Sequence, residues 1–345
     1  MKNAWLLRCF LTVLVILGAA AVLWPERLHD ALVQIVRTAY ISLPEPSFTA
    51  LFVGDIMLDR TVATHARAAG DEALFAGVRE LFQGYDLRVG NLEGSITTNP
   101  SLSQASSTVL RFTFDPKYAA VLKDAGFDAV SLANNHALDF GKSGYAQTTQ
   151  YLSGQGISFF GSPLNNENIS AALQVNGKTL CLVGFHQLYD PNPSSMLEEI
   201  ARIRPECSHI VLVAHWGEEY QHEPTQAQRN AAHMFIDAGV DVVIGAHPHI
   251  VEPVEIYKNK AIFYSLGNFI FDQGWKPEVR RGLAVGIEFS SDKIRFSLTG
   301  VNTFKEASIA NATTTKAVLA DLIAPDLPAD ISESILTTGS FELAK

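Results

Sequence analysis

Positive charge is scarce in this chain. Its 345 residues carry 26 Lys and Arg against 36 Asp and Glu, a formal net charge of −10. A general nucleic-acid binder needs the opposite excess to neutralise phosphates, so no nucleic-acid partner is expected. Cysteine is scarcer still. Three cysteines build no disulfide framework, and none has the paired spacing of a structural zinc site. Cys9 lies in an apolar run and Cys181 in the strand-like TLCLVGF. Both read as small apolar residues, with a Cys181–Cys207 bridge open in an oxidising compartment. Only 18% of the residues are charged and 47% are hydrophobic, too apolar for disorder and ample for a large core. The length suits about two domains, or one large α/β domain.

The N-terminus reads MKNAWLLRCFLTVLVILGAAAVLWPER. Lys2 and Arg8 precede an uncharged run from Cys9 to Trp24, which Pro25, Glu26 and Arg27 close. Counting from Ala4, with Arg8 snorkelling, the run reaches the length of about 20 residues that spans a bilayer. It reads as an uncleaved anchor, with a cleaved signal peptide ending near Ala19 to Ala21 as the alternative. Either way the leading positive charges place the rest of the chain outside the cytoplasm. Leu28, Leu32, Ile35, Val36 and Ala39 then recur at helical spacing, an amphipathic stalk closed by Pro44–Glu45–Pro46.

From Phe48 onward, strand-like runs (FTALFVGD, YDLRVGN, FDAVSLANN, HIVLVAHWG, VDVVIGAHPH) alternate with helical segments at Lys117–Ala125, Tyr145–Gln155, Ser195–Ile203 and Thr225–Ala238. Such alternation predicts a mostly parallel α/β sheet. Turn signals at Asn176–Gly177, Lys258–Lys260 and Ser291–Lys293 add antiparallel hairpins. Beyond Phe304 a peripheral helix and a loose tail are expected. Leu122–His136 and Phe235–His249 share one grammar: a helix end, Asp-Ala-Gly, then a strand running into His and Asn or a His pair. Gly126 and Gly239 suit helix C-caps, and the carboxyl ends of such strands are where α/β sheets bind ligands.

The strands end in polar clusters: Gly54–Asp55, Asn91–Leu92–Glu93, Asn134–Asn135–His136 with Asp139, His215 with Glu218, His247–Pro248–His249, and Ser265 to Asn268. Imidazole, carboxylate and amide oxygens gathered at one sheet edge suit one or two divalent ions, and a bridging carboxylate suits a two-metal hydrolytic site. Each member has a plainer role open to it. Asp55 could be an N-cap, Asn91 and Glu93 turn formers, His215 a core histidine and Asp139 a turn cap. Arg60 and Asn268 are candidate contacts for an anionic substrate, Arg60 equally a solvated helix residue. His186, ending the strand CLVGF, stays undecided.

In order along the chain, GDIMLDR, GNLEGSIT, LANNHALDFG, AHWGEEY, GAHPHIVEPVEIY and YSLGNFIFDQ resemble the motif series of the poly-gamma-glutamate capsule biosynthesis (CapA) proteins. That family is a branch of the calcineurin-like metallophosphoesterases. The resemblance covers about Phe48 to Phe304. It implies an α/β fold, a sandwich of mixed β-sheets flanked by helices, with an N-terminal membrane helix. The chain then divides into an anchor or signal segment (1–25), a stalk and linker (26–47), the metallophosphoesterase-type domain (48–305) and a peripheral C-terminal segment (306–345). Position by position, the resemblance makes Asp55 and His249 ligands of a first metal, Asn135, His215 and His247 ligands of a second, and Glu93 the bridge. His136 becomes the group that assists the leaving group; Asp139, three residues on, is by its spacing a candidate to orient that imidazole or to cap a turn. Manganese, iron or zinc is the implied cofactor, as one or two ions. Two departures stand out: Met57 occupies the histidine position of Asp-x-His, and Asn91–Leu92–Glu93 replaces Gly-Asp.

The resemblance further implies an anionic capsule polymer or phosphoester as substrate, and membrane-embedded synthase and transport proteins as partners. Three functional classes remain open: a membrane-anchored metal-dependent hydrolase or transferase of capsule synthesis, a non-catalytic assembly or polymer-binding factor, and a secreted phosphodiesterase or nucleotidase.

Overall fold

In the strand Phe48–Ile56, alternate residues point to opposite faces. Phe48, Ala50 and Phe52 join one buried cluster, and Leu51, Val53 and Ile56 another. A strand apolar on both faces requires cover on both. The strands His209–His215 and Val242–Ala246 repeat the pattern: Val211, Val213, Val242 and Ile244 enter the first cluster, while Ile210, Leu212 and Val243 enter a third. The first cluster therefore lies between two sheets, and the others lie between each sheet and its helices.

The computed structural model describes residues 47–104 and 108–345. One sheet runs, in spatial order, Ser308–Ile309, Lys293–Asn302, Arg281–Phe289, Phe48–Ile56, Leu87–Leu92, Ala129–Ser131 and Ser158–Phe160. Asn268–Ile270 joins it alongside Phe48–Ile56, and Ser340–Ala344 alongside Lys293–Asn302. The second sheet runs Val254–Tyr257, Lys260–Phe263, Val242–Ala246, His209–His215, Lys178–His186 and Ser170–Val175. Parallel strands form one half of the first sheet, from Phe48–Ile56 out to Ser158–Phe160, and the centre of the second. The three turn signals each close an antiparallel pair, so the architecture is a sandwich of two mixed sheets flanked by helices rather than one mostly parallel sheet.

The helix Lys117–Ala125 has the expected bounds, and Gly126 closes it at φ 106°. Thr225 caps Gln226–Asp237 through a reciprocal bond pair with Gln228. The tail differs from expectation. Residues after Phe304 form helices Ala312–Asp321 and Ala329–Thr338, and then a strand paired from Lys293↔Ala344 to Ser297↔Ser340. Val318, Leu319, Ile335, Phe341 and Leu343 all enter the intersheet core. Cys181 and Cys207 also differ from the apolar reading. They form a disulfide, with Cα atoms 5.8 Å apart, because the turn after helix Ser194–Ile203 returns beside the strand Lys178–His186. Among the described residues no helix is long and apolar enough to cross a membrane. The expected anchor and the stalk up to residue 46 lie outside the described residues.

Candidate metal centre

Register assembles the cleft. Asp55 pairs with Asn91, and Asn91 with Ser131, in one sheet; His186 pairs with His215, and His215 with Ala246, in the other. The residues just past these strand ends meet where the two sheets abut. Asp55, Glu93, Asn135, His136, Asp139, His215, His247 and His249 are thereby brought to one cleft.

Asp55 is fully buried and is not a helix cap; Asp59 caps the helix Arg60–Ala69 instead. Its Oδ1 accepts from Asn91 Nδ2 at 2.7 Å, and its Oδ2 from the His247 backbone N–H at 3.2 Å. His249 Nδ1 lies 3.2 Å from the same Oδ2 and 3.0 Å from Asn268 Oδ1. His215 Nε2 meets Asn135 Oδ1 at 2.9 Å, and its Nδ1 meets Asn91 Nδ2 at 3.2 Å. Asn91 thus bridges Asp55 and His215. Asn134 braces the arrangement by donating to Asn91 Oδ1 and the Leu92 carbonyl.

His136 stands at the mouth. Its Nδ1 pairs with Asp139 Oδ2 at 2.8 Å, its ring lies 4.2 Å from that of Phe112, and its Nε2 is 3.8 Å from Glu93 Oε1. The same Asp139 oxygen accepts from the Phe112 N–H, so Asp139 both orients the imidazole and ties down a turn. His247 and His249 do not continue their strand as an extended pair. Their φ angles are 97° and 59°, left-handed values that cost a non-glycine residue strain and gather at functional sites.

Two candidate residues have other duties. Arg60 is ion-paired to Asp272 and packed against the rings of Phe112 and Phe271 at 4.9 and 5.6 Å. Asn268 donates to Gln273 Oε1 and the Val279 carbonyl while its oxygen faces His249, so it orients a histidine. His186 is buried behind His215, their ring centres 5.7 Å apart, with Nδ1 on the Pro163 carbonyl.

The electrostatics are those of a site built around positive charge it does not itself contain. Burial, then the neighbouring imidazoles, holds His215 well below the ordinary histidine range. Burial and the charge of His249 push His247 down to about 3. Neutral imidazoles are the form that ligates metals. Burial first, then Asp55 and Glu219, raises the Glu93 carboxyl well above its ordinary value. Neither Glu93 oxygen has a hydrogen-bond partner, nor does His247 Nδ1, and all three atoms are buried. Native buried polar groups are rarely left so. These orphaned donors of lone pairs fit a cation. Asp55, Glu93 and His249 each place one ligand atom within 4.8 Å of the others, as do Glu219, His247 and His249. Sequence reasoning passed over Glu219, although it lies four residues beyond His215 in AHWGEEY.

The two-sheet sandwich with this cleft at its strand ends is a fold found in solved structures. A phosphatase structure from Mycoplasma pneumoniae shares the fold with a TM-score of 0.51, at 16% identity over 81% of this chain and 100% of that one. The sequence itself places the chain more narrowly. Residues 49–273 match the model of the bacterial capsule synthesis protein family PGA_cap. The chain is 33% identical over 244 residues to the PGA biosynthesis protein CapA of Bacillus subtilis (strain 168), covering 66% of this chain and 64% of that protein. It is 29% identical over 248 residues to the capsule biosynthesis protein CapA of Bacillus anthracis, covering 66% and 60%. The chain belongs to this family of bacterial capsule synthesis proteins. The matched region spans less than two thirds of those two relatives.

Proposed function

We propose that this protein is a membrane-anchored, extracytoplasmic hydrolase or transferase of capsule synthesis, dependent on divalent metal and acting on an anionic polymer or phosphoester beside membrane-embedded synthase and transport proteins. The observation that carries the metal-dependent part is Glu93, a buried carboxylate whose two oxygens have no hydrogen-bond partner and whose Oε1 lies 3.8 Å from both His136 Nε2 and His249 Nε2. A lone buried charge costs several kcal/mol, and a cation between these groups offsets that cost. The Cys181–Cys207 disulfide supports the oxidising location.

Asp55, Glu93 and His249 would hold one ion, and Asn135, His215 and His247 a second. When bound, divalent ions supply charge that acidifies a water and polarises an ester or amide. Asp139 accepts from His136 Nδ1 and thereby leaves Nε2 as the atom that carries a proton into the cleft. From there His136 protonates the departing oxygen or nitrogen, a role typically worth about 10²–10⁴-fold in rate. Asn268 and Asp55 hold His249 from its Nδ1 side. Met57 at the usual histidine position favours a second reading, a cleft that holds polymer without cleaving it.

The test is elemental analysis of the purified full chain with Glu93→Gln and His136→Gln, followed by turnover of phosphodiesters and glutamyl polymers. Wild type is expected to carry manganese, iron or zinc, and Glu93→Gln to lose it. His136→Gln should keep the metal and lose about 10²-fold or more in kcat. Metal without any turnover favours the polymer-holding reading. A wild-type chain that takes up no ion ends the metal-centre reading.

A further inference from the structure

Met57 brings no donor to the cleft. It is fully buried in the core beneath the sheet with Leu58, Val62 and Ile270, and its sulfur faces the Asp59 N–H at 3.1 Å. Met57 stands where the resemblance expects a histidine, so an ion held beside Asp55 would have one fewer protein ligand. On the far wall, the loop after His209–His215 carries Glu219, and this loop is fastened to the histidine segment at several points. Tyr220 takes φ 65°, donates its N–H to the Pro248 carbonyl at 2.9 Å, and lays its ring over His249, centres 6.0 Å apart and planes at 30°. Its hydroxyl accepts from Gln273, the residue that also receives Asn268. A left-handed non-glycine residue held by this many contacts fixes where its neighbour points.

Glu219 thus has a ligand atom grouped with His247 and His249, and His249 is also grouped with Asp55 and Glu93. Independently, the buried His247 Nδ1 and both Glu93 oxygens lack partners. We propose that Glu219 is a metal ligand that makes up for the imidazole absent at Met57, reaching the ion from the opposite sheet. This rests on the metal-centre reading above. The substitution replaces a borderline nitrogen donor with a hard oxygen. Together with Asp55 and Glu93 it makes three carboxylates in one cleft, a donor balance that moves preference from zinc towards manganese(II). Glu219 is solvent-exposed while Asp55, Glu93, His247 and His249 are buried, so its replacement leaves the core intact.

The full chain, stripped with chelator and dialysed, is titrated with manganese(II) and with zinc(II) by calorimetry, with bound ions counted by elemental analysis. Glu219→Gln is compared with wild type and with Glu218→Gln, whose carboxylate lies next in sequence but in neither ligand group. Losing a direct ligand should cost more than the roughly 10–100-fold that losing a ligand's hydrogen-bond partner costs. The expected result is a manganese affinity in Glu219→Gln at least about 100-fold weaker, or one ion fewer per chain, with a smaller loss for zinc. Glu218→Gln should match wild type, and thermal melts in chelator should coincide for all three. Glu219→Asp, which keeps the charge on a shorter stem, should fall between. Unchanged manganese binding in Glu219→Gln overturns the assignment. So does an equal loss in Glu218→Gln, which would mark a diffuse field. A wild-type chain that binds neither metal overturns this assignment together with the metal centre, whereas binding by both wild type and Glu219→Gln overturns this assignment alone.

Discussion

Glu252 lies three residues beyond His249, fully buried, with Oε2 accepting from Gln228 at 2.9 Å and Oε1 without a partner. Burial pushes its carboxyl from 4.5 up to about 8, against the Gln228 bond. The acid form is thus the one the fold favours. Its contribution to stability is complete below the unfolded value of 4.5 and is lost as pH rises towards about 8. Within that window, a rise of one in pH removes about 1.4 kcal/mol. Glu252→Gln removes the titrating group, so its melting temperature relative to wild type should climb steadily from about pH 5 to about pH 8. Parallel melting curves across that range would show that Glu252 is not buried as described. At this scale residue types are legible in the sequence and their geometry is not. The types Asp, Glu, Asn and His at the strand ends point to donors of the kind that bind cations, and His136–Asp139 is a three-residue spacing that a single turn can satisfy. Arg60 was illegible because its partner, Asp272, is 212 residues away. Asn268 was illegible because its duty depends on His249, Gln273 and Val279 arriving around it.

Among the elements, the segment Tyr264–Gly267 explains why the cleft is continuous. It leaves the second sheet after Lys260–Phe263 and enters the first at Asn268–Ile270, crossing between them at the strand ends. It passes closely enough that a Cβ on Gly245 would strike the Tyr264 carbonyl oxygen, and one on Gly54 the Gly267 carbonyl oxygen. Each glycine sits beside a site segment, Asp55 on one side and Ala246–His247 on the other. Gly54→Ala should therefore displace Asp55 as well as strain the strand. We expect a loss of roughly 1–3 kcal/mol in urea unfolding, as for other overpacked cores, together with loss of bound metal. A variant that folds less stably yet keeps its full ion count would separate Gly54 from the site. The YSLGNF motif was visible in the sequence, but its meaning as a crossing was not. The final strand was hidden for a related reason. Phe341 and Leu343 alternate with Glu342 and Ala344 in the manner of a strand, but only the distant pairing with Lys293–Asn302 makes one. Lys117–Ala125 needs no distant partner to be recognised, and its bounds came out as read.

For the whole molecule, stability is distributed over an intersheet core and two flanking cores. The disulfide ties the second sheet to its helix layer, across 26 residues of chain. Chain-entropy arguments put the constraint of such a loop at about 3.5 kcal/mol. Reduction, or Cys181→Ser with Cys207→Ser, should lower the urea midpoint while leaving the metal cleft able to fill, since neither cysteine lies there. An unchanged midpoint would mean the bond forms without stabilising the native state.

The cleft takes Asp55, Glu93 and Asn135 from one sheet, and His215, His247 and His249 from the other. An occupant shared by both halves acts as a latch across the sandwich. Any ion that prefers this closed arrangement adds its own binding free energy to folding, about 2.7 kcal/mol at a hundredfold excess over its Kd. Trace-metal supply would then set the lifetime of the protein as well as its chemistry, so that a metal-starved cell would lose the molecule itself before it accumulated idle copies.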